Sequence, residues 1–229
     1  MFRILNIILL VALSAFCVLG QTNRNVSDND IAAGLKEALG KGIRSAVNSL
    51  GKPNGFLLNA RVKIPLPKSL QKLEKGLRLA GQGRSVDAFV ASMNNAAEKA
   101  VPVAIDVFVD AIKQMSFDDA RKILLSGQKD SATQFFRRTS EETLRGKFRP
   151  IVEEFTAKTG VTQKYKTMVG KAGFAAQLLG KDATDLDGYV TQKALDGLFL
   201  LVADEEAKIR ENPIGRTTAL LKKVFGVLR

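Results

Sequence analysis

The chain has 229 residues and a formal net charge of +12, with no His, no Trp and a single Cys at position 17. This composition provides no imidazole and no thiol beyond Cys17. It therefore excludes Ser-His-Asp and Cys-His catalysis, zinc sites built from His or Cys, c-type haem attachment and disulfide scaffolds. Chemistry that uses only carboxylate, Lys, Arg or Tyr side chains stays open.

Residues 1–20 have the order of a secretory signal peptide, with Arg3 before an apolar run over 4–19. We expect cleavage after Gly20, export to the periplasm or the medium, and a flexible polar tail over 21–26. Retention as a membrane anchor stays open, because the run is only a little shorter than the ~20 residues that span a bilayer. Lipoprotein anchoring through Cys17 is not expected, because Phe16 stands where that processing requires a small residue.

The first predicted helix begins at Ser27, where an N-cap with an acid at Asp30 precedes one apolar face. Gly51 is expected to end it. Residues 51–67 contain two Gly and three Pro. This stretch is the predicted Pro/Gly-rich extended segment, because each proline disfavours helix at the residue before it.

The rest of the sequence predicts helix after helix. The expected helices, in chain order, run over 69–80, from Ser85 as a cap, from Pro102, from a capping box at Ser116, from Asp130 with a break at Pro150, over 162–179, from Asp185 to Arg210, and from Pro213 to Leu228. We therefore predict a single all-α domain over 27–229, a compact bundle of about eight to ten helices.

The helix from Asp185 is predicted to be central, because it is apolar nearly all round between Leu195 and Val202. Gly197 would let another backbone approach closely. The end of the helix is expected to be solvated, because Glu206 and Arg210 have the spacing of an exposed i,i+4 ion pair.

The chain contains eight characteristic segments in a fixed order: Asp30–Leu39, Ile64–Pro67, Asp110–Met115, Ala132–Arg137, Phe148–Val152, Tyr189–Phe199, Ile209–Pro213 and Arg216–Thr218. With these segments it resembles the bacterial family catalogued as domain of unknown function 4197. The resemblance runs from about Ser27 to Gly226. It implies an exported, mostly helical protein, and it brings no known activity, cofactor or catalytic residue.

Three short patterns occur in the order of penicillin-binding enzymes: Ser69–Lys72, Ser92–Asn94 and Lys158–Gly160. Their separations are too short and no sheet is predicted, so we interpret them as coincidental. The acidic pairs are interpreted as ion-paired solvated faces, and Asp185 as a helix cap rather than part of a calcium loop with Asp182 and Asp187. No catalytic residue, metal site or cofactor is predicted.

Basic residues that could bind an anion or a charged surface form two clusters in the sequence. The first comprises Arg137, Arg138, Arg145, Lys147 and Arg149, and the second comprises Arg216, Lys222 and Lys223. Arginine forks bind phosphate and carboxylate groups, although Glu141 and Glu142 neutralise part of the first cluster. The last three lie on the predicted C-terminal amphipathic helix, which would either close the bundle as a lid or lie on an anionic membrane.

These features predict a non-enzymatic binding or envelope-associated module, whose basic surface meets anionic lipid, a membrane surface or another anionic partner. One alternative is a structural subunit of a homo-oligomer, and another is an enzyme restricted to carboxylate, Lys and Tyr chemistry. Nucleic acid is not an expected partner, because the chain has few aromatic residues and no nucleic-acid motif.

Overall fold

The computed structural model describes residues 28–172 and 180–211. In these ranges there are nine α-helices and no strand: α1 Asp28–Gly51, α2 Gln71–Leu79, α3 Gly83–Ala100, α4 Ala104–Gln114, α5 Phe117–Leu125, α6 Ser131–Ala157, α7 Gly160–Ala172, α8 Lys181–Thr184 and α9 Leu186–Glu211. Single 3-10 turns at Lys68–Leu70 and Val101–Val103 precede α2 and α4. The all-α prediction is confirmed. The predicted signal peptide, polar tail and C-terminal helix lie outside the described residues.

The core is built on α6 and α9, each roughly 40 Å long, which pack against each other with α1, α3 and α4 around them. At its centre Phe108 contacts Phe136 and Phe199 edge to face, with ring centroids 5.3 and 6.0 Å apart. Such aromatic pairs contribute about 0.5–1.5 kcal/mol each beyond their burial. Within the described ranges, no helix has both the length and the apolar character needed to cross a membrane.

Local capping signals place two helix starts correctly. Ser116 caps α5 in the predicted box, and its hydroxyl and backbone N–H lower the pKa of Asp119. Asp185 caps α9 by accepting the Gly188 N–H at 3.0 Å. The cap predicted at Ser85 is wrong, because α3 already begins at Gly83.

The predicted break at Pro150 is also wrong, because α6 continues through it. Pro150 has no N–H to donate to the carbonyl of Gly146. Both residues lie on the exposed face of the helix. Phe148 and Val152 are fully buried on either side. Their burial offsets the ~3 kcal/mol that an interior proline costs a helix, so the helix stays continuous.

The segment 52–67 is non-helical as predicted, but the predicted extended backbone is confined to 63–67, because turns occupy most of 53–62. From 61 to 66 burial alternates residue by residue, with Val62, Ile64 and Leu66 buried. No strand among the described residues pairs with the extended part. Instead, the Asn94 side chain on α3 accepts the Ile64 N–H at 2.8 Å and donates to its carbonyl at 2.9 Å.

One helical turn further along α3, the buried carboxylate of Glu98 holds the start of the same segment. It accepts backbone N–H groups from Asn54, Phe56 and Leu57 at 3.1, 3.0 and 3.3 Å. Asn94 and Glu98 thus form the hydrogen bonds with the backbone of the segment that a neighbouring strand would form in a sheet.

The predicted role of Gly197 needs correction. A Cβ there would lie 2.8 Å from the ring of Phe56 and 3.2 Å from Val62 Cβ. The close approach is therefore made by side chains of the 52–67 segment rather than by another backbone.

The predicted solvated end of α9 is wrong at Glu206, which is only 3% exposed. Its carboxylate accepts the Ala132 and Thr133 N–H groups at 2.9 and 2.8 Å. It is also paired with Arg210 at 2.7 Å. These N–H groups belong to the first turn of α6, where they have no partner within the helix. Glu206 thus caps α6 from a distant helix.

Candidate functional site

The first predicted basic cluster lies on α6, and three of its four arginines are already paired with carboxylates. Arg145 donates to Glu141 at 3.0 Å. Arg149 forms a fork on Asp185, with distances of 3.1 and 3.0 Å. An external anion would have to displace these carboxylates, whereas Arg138 and Lys147 are exposed and have no ion pair with another described residue.

The other members of that cluster are spread over different contacts. Arg137 pairs with Glu141 at 3.1 Å and lies over the Phe199 ring at 4.4 Å. Arg138 lies over the Phe135 ring. Lys147 lines a cavity of about 410 Å³ together with three carboxylates, Asp106, Asp110 and Asp119. The predicted Arg216, Lys222 and Lys223 lie outside the described residues.

A polar cavity of about 580 Å³ lies between α6 and the start of α9, and it brings Arg145 and Arg149 together with Lys181 and Lys193. Its lining also contains three carboxylates, Glu142, Asp182 and Asp185. The lining of this cavity therefore carries both positive and negative charges. The described residues contain no group of three or more His, Cys, Asp or Glu side chains placed to hold a metal ion.

A partly buried polar triad joins α6, α7 and α9. Asp187 accepts from the Lys166 ammonium and from the Thr156 hydroxyl, both at 2.6 Å, and the ammonium lies 2.8 Å from that hydroxyl. A Lys beside a hydroxyl is one arrangement that activates a nucleophile. Here Thr156 has no exposed surface, so we assign the triad to helix packing. No spacing in the sequence predicts this triad.

Two of the three penicillin-binding patterns meet in space. Ser92, Lys158 and Thr159 line one cavity of about 360 Å³, whereas neither Ser69 nor Lys72 belongs to its lining. The Ser92 hydroxyl donates to the Phe89 carbonyl at 2.8 Å. Because the cavity lacks the nucleophile pattern and the Ser92 proton is engaged, this arrangement supports no acyl-enzyme chemistry.

The two tyrosines are tied to backbone carbonyls: Tyr165 donates to Ala183 at 2.8 Å and Tyr189 to Pro65 at 3.0 Å. Burial raises the pKa of Tyr165 to about 12. Burial, together with the charge of Asp182, raises the pKa of Tyr189 to about 12. Both phenols are therefore protonated at neutral pH, and neither is poised as a base.

An apolar groove of about 300 Å³ lies between α2, α3 and α7. Its floor is formed by the buried Val86 and Phe89, with the Tyr165 ring 5.1 Å from that of Phe89. Its outer wall is the leucine face of α2, where Leu73 and Leu77 are 49% and 38% exposed. The helical spacing of these leucines is visible in the sequence, but their partial exposure is not.

The mouth of the groove is bordered by positive charge. Lys164 on α7 lines it. This lysine is exposed and has no ion pair with another described residue. Glu74, the carboxylate in the lining, is held by Arg78 at 3.0 Å. The groove thus joins an apolar surface to an available cation, Lys164.

Arg78 also fixes α2 to the rest of the bundle. Its guanidinium reaches Asp87 on α3 at 2.8 Å, across the turn at Gly81, whose φ is +78°. Leu70, just before α2, is buried, but no residue within α2 itself is. The helix is therefore anchored at its two ends and only loosely covered between them.

The family model described as "Protein of unknown function (DUF4197)" matches residues 25–226. The chain belongs to this family. The match covers nearly the whole sequence and agrees with the resemblance of its eight segments. No curated protein and no solved structure matches the chain.

Proposed function

We propose that this protein is a non-enzymatic binding module for anionic lipid surfaces, and that it docks through α2 and the mouth of the groove beside it. The observation that carries the proposal is the pair of half-exposed leucines, Leu73 and Leu77, in the same groove as Lys164, which has no ion pair with another described residue. An amphipathic helix with a basic flank binds lipid in this way, apolar face down and cations at the headgroups.

The charge around α2 supports an anionic rather than a neutral surface. From 68 to 87 there are five basic and two acidic residues. Both acids, Glu74 and Asp87, are paired with Arg78. Each remaining lysine or arginine near an anionic membrane contributes about 1 kcal/mol, screened by salt. Binding should therefore be reversible and salt-dependent. Export, which the start of the chain predicts, would place the protein beside such surfaces.

Vesicle co-sedimentation of the full chain tests the proposal. We expect binding to vesicles that contain phosphatidylglycerol, loss of binding on phosphatidylcholine alone, and weakening as salt rises. Leu73→Asp combined with Leu77→Asp should reduce binding at least tenfold. Leu125→Asp is the matched control, because Leu125 is 65% exposed on α5, away from the groove. All variants keep residues 1–20, so any contribution of that apolar run is common to them.

Binding that ignores both anionic lipid and salt would remove the proposal, as would equal losses in the α2 and control variants. The same exposed leucines also favour a second candidate, a structural subunit in which α2 seals against another copy. Light scattering decides between them: a dimer that Leu73→Asp converts to monomer would support the subunit, and a monomer at high concentration would exclude it.

A further inference from the structure

We infer that the groove between α2, α3 and α7 holds one acyl chain of an anionic single-chain amphiphile, such as a long-chain carboxylate, with its acid group paired to Lys164. The inference rests on the proposed function and adds a ligand to it. Its basis is that the groove is deeper than a helix lying on a membrane requires, since Val86 and Phe89 form a floor beneath the leucines.

The size and lining of the groove favour one hydrocarbon chain. Its volume of about 300 Å³ is at the lower end of the ~300–1,000 Å³ typical of ligand sites. Its lining has two hydroxyls: Tyr165 in the floor already donates to the Ala183 carbonyl, and the exposed Ser85 donates to Gln82 at 3.4 Å. An acyl chain would therefore leave no buried polar group without a partner, whereas a polar ligand would find none in the floor.

The position of charge favours an acid group at the mouth. Lys164 lines the groove and is exposed, so its ammonium can meet a carboxylate without losing an existing ion pair among the described residues. The repulsion of that acid by Glu74 is reduced by Arg78, which Glu74 shares with Asp87. A chain that entered between Leu73 and Leu77 would also cover the surface that the bundle leaves exposed.

Calorimetric titration of the full chain with octanoate, decanoate, dodecanoate and tetradecanoate, each below its aggregation concentration, tests the inference. We expect one site, with Kd falling up to about fourfold per added methylene and levelling off once the chain fills the groove. Lys164→Gln should weaken dodecanoate binding by up to about fivefold while leaving dodecanol binding unchanged. Lys129→Gln, an exposed lysine elsewhere, is the matched control.

Leu77→Trp, which places a larger side chain in the outer wall, should weaken the acid and the alcohol alike. Three results would overturn the inference: a Kd independent of chain length, affinity that rises without levelling off at one site, or identical behaviour of the Lys164 and Lys129 variants. If carboxylates bind and vesicles do not, the proposed function fails while this site stands. If vesicles bind and carboxylates do not, only this site fails.

Discussion

Both α9 and α2 carry leucines spaced three or four residues apart, yet these leucines are buried in α9 and partly exposed in α2. In α9, Leu195 and Leu198 are fully buried, because α6, α3 and α1 pack around them. In α2, Leu73 and Leu77 have only one neighbouring wall and stay partly exposed. Single exposed apolar side chains are ordinary on a globular protein, but Leu73 and Leu77 differ from Leu125 because they line one apolar groove. The difference therefore separates the part of the chain that makes the fold from the part that we assign to function.

The largest expected effect concerns the buried end of α9. Glu206→Ala removes the acceptor for the Ala132 and Thr133 N–H groups and leaves Arg210 without its carboxylate. We expect the free energy of unfolding to fall by about 3–5 kcal/mol, which is roughly 6–20 °C in Tm. Glu154→Ala, which breaks an exposed pair with Lys158, should lower it by less than about 1 kcal/mol. Equal losses by calorimetry would show that Glu206 is not a structural cap.

A second variant tests how closely the 52–67 segment packs on α9. Gly197→Ala places a Cβ against Phe56 and Val62, and such overpacking costs about 1–3 kcal/mol. Gly146→Ala on α6 is the contrasting variant, because nothing lies within 4 Å of its added Cβ. It should stabilise the protein by about 0.5–1 kcal/mol. Urea unfolding that shifts both variants in the same direction contradicts this part of the structure.

The pKa values of the two tyrosines test burial in two places, because Tyr165 lies in the groove floor and Tyr189 in the core. The chain has two Tyr and no Trp, so tyrosinate absorbance near 295 nm reports only Tyr165 and Tyr189. Their pKa values are raised to about 12 from 10.0. Because the folded state disfavours the phenolates, stability is unchanged below pH ~10 and falls as pH rises from ~10 toward ~12. Titration of either residue near pH 10 while the fold persists would mean that its site is open to water.

The smallest effect is expected at the basic cluster on α6. Arg149→Ala loses the pairs with Glu153 and Asp185, all partly solvated, so the free energy of unfolding should change by about 1 kcal/mol or less. Vesicle binding should be unchanged in co-sedimentation. A loss of binding that matches Leu73→Asp would move the docking surface from α2 to α6.

The sequence predicts the fold well where its signals are local. Ser116 and Asp185 mark helix starts because their side chains cap neighbouring backbone N–H groups, and Gly51 is the last residue of α1. The local signals at Ser85 and Pro150 are wrong, because packing extends both helices past them. Glu206 and Glu98 escape such reasoning, because the N–H groups they bind lie up to 74 and 44 residues away. From the sequence, Glu206 has only the spacing of an exposed ion pair with Arg210, and no pattern singles out Glu98.

The candidate site shows the same limit. The leucines of α2 and the positive charge are visible in the sequence, but the groove requires the placement of α2, α3 and α7 together. The denser basic cluster lies on α6, and the sequence alone does not distinguish a free arginine from one that a distant carboxylate such as Asp185 already holds. Charge density alone therefore favours α6, whereas the exposed leucines favour α2.

Site-specific fluorescence tests the central claim most directly, because Cys17 is the only cysteine in the chain. In a full-length Cys17→Ser background, Leu73→Cys and Leu125→Cys each carry one environment-sensitive dye at an exposed leucine position. On anionic vesicles we predict a blue shift and gain of intensity at position 73, reversed by salt, and no change at position 125. Equal shifts at both positions, or a shift at 125 alone, would contradict docking through α2.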